Sequence, residues 1–482
     1  MHLIYPHLKL STMNEAKSDK LEHFFIQTHG CQMNYHDSER MQGMLENIGM
    51  SAVNTPDTAD LLIINTCAVR EKPERKLYGA LNKIKSLKEI RPEIIVAVTG
   101  CMAPRDADTI RQRAPFVDLL IGPRSIHRLP KLIAEVRNNR TPLEYIALSD
   151  DPTPMTPIRR SGMISAWVDV IYGCSYNCSF CAVPSARGKE ASRLPADIFA
   201  EIDELTAMGY KEITLLGQTV NAYGRDWHYK LNKVNGNLVD SRIDFAWLLT
   251  EIDKRYPEMR VRFTSPHPQL FNPRLIETIA KLPTVCEHMH FPLQSADNEV
   301  LRRMRRTYTY EKYKSIVESL RDLVPDIAIT TDIIVGFPGE TEEQFETTLE
   351  AVRTMEFDQA FMFAYSPRRH TTAAEFTDMI HPDEQKRRLH KLIEVANIGF
   401  SAINSRQVGR VFEVLVEGPS PKNPDKYSGR TRSNKTTIFD ASPEMVGKLI
   451  QVEATTSKVW GFYGKLVDNN IKNPKVRIAE YS

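Results

Sequence analysis

Three short apolar runs in the first quarter of the chain each stop at a cysteine: HFFIQTHGC ends at Cys31, DLLIINTC at Cys67 and IIVAVTGC at Cys101. Runs that are apolar at successive positions and only strand-length suit strands buried on both faces. Helix-like stretches follow at 38–47, 74–86 and 107–113. Strand alternating with helix predicts a parallel sheet with right-handed crossovers. Such sheets bind ligands beyond the carboxyl ends of their strands, and all three cysteines lie at those ends. Thiols more than thirty residues apart should therefore meet at one rim.

The stretch 139–160 carries four prolines and little periodicity, and reads as a linker. Beyond it the β-then-α rhythm resumes. Strands are expected at 166–172, 212–216, 260–264, 287–292, 327–335 and 359–364, with helices at 196–208, 310–323, 342–355 and 383–405. About six β/α units predict a partial (β/α) barrel with its site at the strand carboxyl ends. From about 406 the chain changes to short alternating strands with Gly, Pro and Asn turns, the pattern of a small antiparallel β-barrel. The predicted fold is thus α/β in three parts. A polar extension (1–20) precedes a parallel-sheet domain (21–138), and the linker leads to the partial barrel (161–403). The small β-barrel (404–468) and a tail (469–482) complete the chain.

With 63 Lys plus Arg against 61 Asp plus Glu, no global field for a polyanion exists, so any nucleic-acid surface must be local. From Asn404 onward there are thirteen basic and eight acidic residues. Tyr427, Phe439, Trp460, Phe462 and Tyr463 are interleaved with them, which suits RNA contact, although a solvated β-domain could be as basic with no partner. No apolar run is long enough to span a bilayer, and the start turns polar too soon for a signal peptide, so a cytoplasmic protein without membrane contact is expected. Seven cysteines in such a chain argue against a disulfide framework. HExxH, Walker and GxGxxG motifs are absent, leaving nucleotide hydrolysis and hydride transfer without support.

Cys174, Cys178 and Cys181 form a CxxxCxxC loop directly after a predicted strand. Three thiolates in one tight loop can hold three irons of a cubane cluster and leave the fourth iron open to another ligand. Structural zinc would need a fourth protein ligand nearby, and neither His228 nor His267 has finger-like spacing. A zinc knuckle and unligated thiols are the alternatives.

This loop after the first barrel strand resembles the radical S-adenosylmethionine (SAM) superfamily. In that family the open iron chelates SAM, whose reductive cleavage gives a 5′-deoxyadenosyl radical. GCQMNYHDSE around Cys31, INTCAVRE around Cys67 and VTGCMAPR around Cys101 resemble the N-terminal domain of the methylthiotransferases. That resemblance covers about 21–468 and implies a second, auxiliary cluster on Cys31, Cys67 and Cys101, beside the radical-SAM cluster on Cys174, Cys178 and Cys181. The implied cofactors are two 4Fe–4S clusters and SAM.

Gly30 to Asn34 (GCQMN), LLGQTVNAYG and TTDIIVGFPGET resemble the branch acting on N6-isopentenyladenosine, and the C-terminal barrel resembles the TRAM module that contacts tRNA. The implied reaction is conversion of C–H to C–S–CH3 at C2 of that nucleoside, at position 37 of tRNA. The implied partners are a tRNA anticodon loop, an electron donor and a sulfur donor, with the chain acting as a monomer. The same chemistry on threonylcarbamoyladenosine tRNA or ribosomal protein S12 is the nearest alternative; a non-catalytic iron–sulfur RNA-binding protein is one of another class. Two residues depart from the family pattern: Lys189 stands for Arg in an RGRE stretch and Ala296 for Gly in QSGS.

The resemblance places Gly217 and Gln218, after the second barrel strand, at a SAM amino-group contact. Ser265, Gln294, Ser295 and Arg306 follow later strands and are cofactor or substrate candidates by that placement, although a polar residue at a strand end is often a turn or cap. Of the arginines at 302, 303, 305 and 306, some must face solvent, since one helix cannot present them all to one side. Cys286 precedes its strand and is expected to be a buried spare thiol.

Overall fold

The computed structural model describes residues 21–68, 71–148, 155–162, 164–229, 233–234, 237–238 and 242–467. The expected extension (1–20), the tail (469–482) and residues 149–154 of the expected linker lie outside the described residues.

The N-terminal sheet has six parallel strands: β1 (His23–His29), β2 (Ser51–Ala52), β3 (Leu61–Thr66), β4 (Ile95–Gly100), β5 (Leu119–Ile121) and β6 (Leu143–Tyr145). Their order is 2-1-3-4-5-6. β3 and β4 are buried at every position, because apolar clusters cover both faces of the sheet. This explains their unbroken apolar sequence. The strand order reverses between β1 and β3, where doubly wound sheets bind their ligands. Cys31 follows β1 and Cys67 follows β3, so two of the three thiols flank that switch point.

Two expectations need correction. The helix expected at 38–47 begins at Gln32 (α1, Gln32–Asn47), with Cys31 as its N-cap and a capping box closed by Asn34. The polar start of this helix hides its helicity, since half of its buried residues (Asn34, His36, Asp37, Glu39 and Arg40) are polar and not part of an apolar stripe. The stretch read as linker supplies β6, which pairs with β5 as an edge strand. Short edge strands need little periodicity, so its prolines masked it.

The second part is a half-barrel of six parallel strands: β7 (Ser165–Asp169), β8 (Glu212–Leu216), β9 (Arg260–Phe263), β10 (His288–His290), β11 (Ala328–Val335) and β12 (Gln359–Ala364). A parallel bridge between Val261 and Val285 joins its two three-stranded halves. Alternation along the strands sends Met289, Ile329 and Ile333 outward into the core beneath the helices. His288, His290, Thr330, Asp332, Gln359, Phe361 and Phe363 face a lumen instead.

The third part is a closed five-stranded barrel: β13 (Val411–Ser420), β14 (Asn423–Thr431), β15 (Thr436–Phe439), β16 (Leu449–Lys458) and β17 (Gly461–Leu466). It is docked against the amino ends of the half-barrel strands and is not merely appended. Arg262, almost fully buried, donates to the carbonyls of Thr431 and Arg432 at 2.7 Å and to Glu212 at 2.9 Å. Arg260 donates to Glu413, and Arg432 returns the exchange by donating to Glu287. Lys435 pairs with Asp358 at 2.6 Å. Among the described residues, no helix is long and apolar enough to cross a membrane.

Candidate active site

Each cysteine set is placed by a glycine. Gly100, before Cys101, has φ +85°, and a Cβ there would lie 2.4 Å from the Thr66 carbonyl oxygen. Gly173, before Cys174, has φ +70°, and a Cβ would lie 2.2 Å from the Lys189 carbonyl oxygen. In both cases backbone approaches backbone too closely for any side chain.

Cys31, Cys67 and Cys101 do meet at one rim. Cys67 is hydrogen-bonded to both of the others. Asn34 accepts from the Cys31 thiol at 3.4 Å and donates to Asn65 at 3.0 Å. Asn65 in turn donates to the Asn34 carbonyl at 2.7 Å and to Ser38 at 2.9 Å. The asparagines of GCQMN and INTC thus lock α1 to β3 and fix the distance between the first two thiols. The hydrogen bond from Cys67 holds the Cys31 thiol down at about 6, and the Arg187 guanidinium acts in the same direction. Cys101 is held at about 7 by its hydrogen bond with Cys67, again with Arg187 helping, and Cys67 is pushed up by its hydrogen bonding with Cys101 and Cys31.

The second set lies on the loop after β7. Cys174 Sγ is 3.2 Å from Thr219 Oγ1. Cys178 Sγ accepts from Arg306 at 3.4 Å, and Cys181 Sγ accepts from the Val183 amide at 3.5 Å. Ser179 pins the loop, its hydroxyl donating to the Arg303 carbonyl and its amide to that of Met304. Tyr176 stacks on His267 with centroids 3.8 Å apart. Burial pulls His267 down to about 2, so its ring is neutral. Burial also raises Cys174 and pushes Cys181 up to about 12.

These donor sets fit iron–sulfur clusters. Thiolate is the ligating form, and in the first set two thiols are already biased toward it. In the second, burial favours the neutral form at Cys174 and Cys181, so deprotonating those two calls for added positive charge, which iron supplies. Among the described residues no three His, Cys, Asp or Glu side chains are arranged to hold a single metal ion. A polynuclear cluster with one thiolate per iron suits this better than a mononuclear zinc site.

The remaining expected residues separate by position. Ser265 (φ +58°) and Gln294 (φ +72°) both hold left-handed backbone and line the lumen. Arg306 reaches Cys178 and Tyr308. Gln218 touches the Met33 sulfur of α1 across the domain boundary. Gly217 packs under Ile171. Ser295 is turned away from the lumen, fully buried with its hydroxyl against Thr348. Arg302 and Arg303 are paired with Glu299 and Asp378. Cys286 is buried just before the amino end of β10, as a spare thiol that joins neither set's contacts. Lys189 is exposed, whereas Ala296 is buried beside Thr348.

Sequence reasoning missed Arg187, which reaches from just beyond the second set's loop to a thiol of the first. It ends the short helix α2 (Val183–Arg187) after the CxxxCxxC loop, and its side chain is 2% exposed. Its Nε donates to Cys101 Sγ and its Nη2 to Asp37. The available signal was its position, six residues after Cys181, in a stretch whose charge had no evident partner. One cavity of about 1060 Å3 is lined by Cys31 of the first set and Cys181 of the second. Phe361, Phe363, Arg430 and Trp460 form other parts of its wall.

Three family models match the chain: an uncharacterized protein family, UPF0004, over 23–122, the radical SAM superfamily over 168–352, and the TRAM domain over 405–467. A tRNA-2-methylthio-N6-dimethylallyladenosine synthase of Symbiobacterium thermophilum is 42% identical over 451 residues, covering 92% of this chain and 94% of the relative. The enzyme of the same name from Moorella thermoacetica is 43% identical over 448 residues, covering 92% and 98%. Among solved structures, the radical SAM methyltransferase TsrM of Kitasatospora setae aligns with a TM-score of 0.54 at 15% identity, over 74% of this chain and 77% of that one. The cobalamin-dependent SAM radical enzyme OxsB aligns at 0.51 and 12% identity, over 77% and 56%. These two share the fold. On the strength of the sequence relatives, the chain belongs to the tRNA-2-methylthio-N6-dimethylallyladenosine synthase family of radical SAM methylthiotransferases.

Proposed function

We propose that this chain is the enzyme that converts N6-isopentenyladenosine in the tRNA anticodon loop to its 2-methylthio derivative. The observation that carries the reading is that Cys31 of one set and Cys181 of the other line the same cavity, so that one substrate can face both. When bound, the clusters and SAM supply a 5′-deoxyadenosyl radical and a methylated sulfur. That chemistry is needed because C2 of adenine is not acidic enough for polar acid–base removal.

The chain's own residues do the rest. Cys31, Cys67 and Cys101 would hold the auxiliary cluster, and Cys174, Cys178 and Cys181 the radical-SAM cluster. Gly217, Gln218, Ser265, Gln294 and Arg306 are assigned to the cofactor, with Ser295 supporting the strand end from behind. Phe361 and Phe363 offer apolar and stacking surface to an extruded base, as RNA enzymes commonly do. The half-barrel wall limits the access of water and stray hydrogen donors to the reacting atom. The domains would divide the work, with 21–138 for sulfur, 161–403 for the radical and 404–468 for RNA. A cytoplasmic monomer, drawing on separate electron and sulfur donors, completes the reading.

Mass spectrometry of tRNA nucleosides from a strain lacking the gene tests it. Loss of the 2-methylthio nucleoside with accumulation of isopentenyladenosine is expected. Loss of the methylthio form of threonylcarbamoyladenosine instead, with the isopentenyl product intact, overturns the substrate.

A further inference from the structure

A second concavity, of about 320 Å3, adjoins the lumen and is built mainly of arginine. Arg75, Arg105 and Arg113 come from the N-terminal domain, and Arg368 and Arg369 from the segment after β12. Glu74 is the one carboxylate in this wall, and it already faces Arg105, which also pairs with Asp106. The arginine heads are held in place. The Arg113 guanidinium lies 4.9 Å over the Tyr78 ring, and Arg369 donates to Thr109 at 2.7 Å. Arg75, Arg113 and Arg369 are exposed.

A scatter of solvated arginines would face outward and apart. Here five line one hollow, and the exposed Arg113 and Arg369 meet only a ring and a hydroxyl in the contacts above, so they bring positive charge to it that an anion can neutralise. Guanidinium forks suit phosphate oxygens, and an aromatic ring holding one of them keeps its fork oriented. The position is equally specific. Ser366 and Arg368 line both this hollow and the lumen, so a chain whose base enters the lumen can lay its backbone here.

We propose that this arginine hollow binds the sugar–phosphate backbone of the substrate RNA, so that the N-terminal domain, and not the C-terminal barrel alone, grips it. The proposal rests on the tRNA reading above. Contacts of this kind set register without reading sequence, and each phosphate neutralised releases counterions, steepening the salt dependence of binding.

The test is fluorescence anisotropy of the full-length holoprotein with a labelled anticodon stem-loop RNA across a salt series. An Arg113→Gln/Arg369→Gln double variant is expected to bind roughly tenfold more weakly, with its log–log salt slope reduced by about 1–2. Arg113→Lys/Arg369→Lys should recover most of the slope and only part of the affinity, since a point charge replaces a fork. Visible absorption of the clusters and a thermal melt establish that each variant is folded. Arg255→Gln/Arg353→Gln removes two exposed charges from helices outside the hollow and should leave binding unchanged. Unchanged affinity and slope in the first variant, or equal weakening in the distant one, overturns the hollow. Absence of salt-dependent RNA binding by the parent protein overturns the tRNA reading itself.

Discussion

Arg187 Nε donates to Cys101 Sγ at 3.2 Å while its Nη2 donates to Asp37 at 2.7 Å. A side chain launched from just beyond the barrel's cysteine loop is thereby inserted among the thiols of the other domain. One buried cation thus ties the barrel's cysteine loop to the thiols of the N-terminal sheet, and the domain interface borders the site.

Replacing Arg187 by Met should therefore do two things. Asp37, buried and raised by that burial, loses the guanidinium that acts against the rise. Leaving a buried carboxyl without its partner costs about 3–5 kcal/mol, readable by denaturant unfolding. Removing a positive charge beside Cys101 should also make the auxiliary cluster harder to reduce, moving its potential negative in a redox titration. Arg187→Lys should restore part of the potential and little of the stability. A variant with parental potential and midpoint shows that the contact is incidental.

The two thiol sets should separate by function. Cys67→Ala removes the thiol that bridges Cys31 and Cys101. It should abolish methylthio product yet permit reductive SAM cleavage to 5′-deoxyadenosine. Cys178→Ala should abolish deoxyadenosine formation. Reconstituted parent protein should carry about eight irons, and loss of Cys174, Cys178 and Cys181 together should remove half. A Cys67 variant that keeps its barrel iron but cannot cleave SAM refutes the division.

Glu201 predicts an acid transition. Burial alone would raise its carboxyl, but Arg193 at 2.6 Å and Arg160 outweigh that and hold it down to about 2. A depressed carboxyl contributes stability that is present above its unfolded value near 4.3 and lost as pH falls through the folded value. The window is therefore about pH 4.5 to 2, and the contribution is on the order of 3 kcal/mol. Glu201→Gln should lower stability at pH 7 and flatten the profile below pH 4.5, measured by urea midpoints.

Much of this was legible in the sequence. The runs ending at Cys67 and Cys101 read as buried strands because apolar residues on both faces leave no other solution, whereas the run ending at Cys31 is a strand with only Phe24 buried; β12 (Gln359–Ala364) and the helix Tyr310–Leu323 begin and end where their patterns do. The amino end of α1 was not legible, because Met33, Asn34, His36 and Asp37 are buried as polar or mixed contacts, which periodicity cannot register. Ser295 read as a site candidate from its place after a strand; its hydroxyl faces Thr348, fifty-three residues on, a contact that local pattern does not carry. Arg187 and the arginine hollow depend on pairings across domains, such as Arg369 with Thr109 at a separation of 260 residues, and local pattern holds no trace of those.

The C-terminal barrel yields the last prediction, and its docking dictates the form of the experiment. Truncation after Ser405 removes the barrel outright and any RNA contact with it. It would also strip Arg262 of two of its acceptors, leave Arg260 without Glu413 and leave Asp358 without Lys435. Buried charges deprived of partners are expensive, so truncation should lower the melting temperature and yield poorly soluble protein, whatever the barrel does for RNA. Point variants on the lumen side avoid this. Trp460 is 43% exposed, meets Tyr463 edge-on at 5.8 Å and lines the lumen beside Arg430. Trp460→Ala removes a stacking surface that no described core cluster needs. It should weaken anticodon stem-loop binding by about 1–3 kcal/mol, the usual cost of losing one stacked base, with the melting temperature unchanged. Arg430→Gln should lower the salt slope by about 1. If Trp460→Ala binds RNA as the parent does, the barrel's contribution is the floor it builds beneath the half-barrel, through Arg260, Arg262 and Lys435, and not a grip on the substrate.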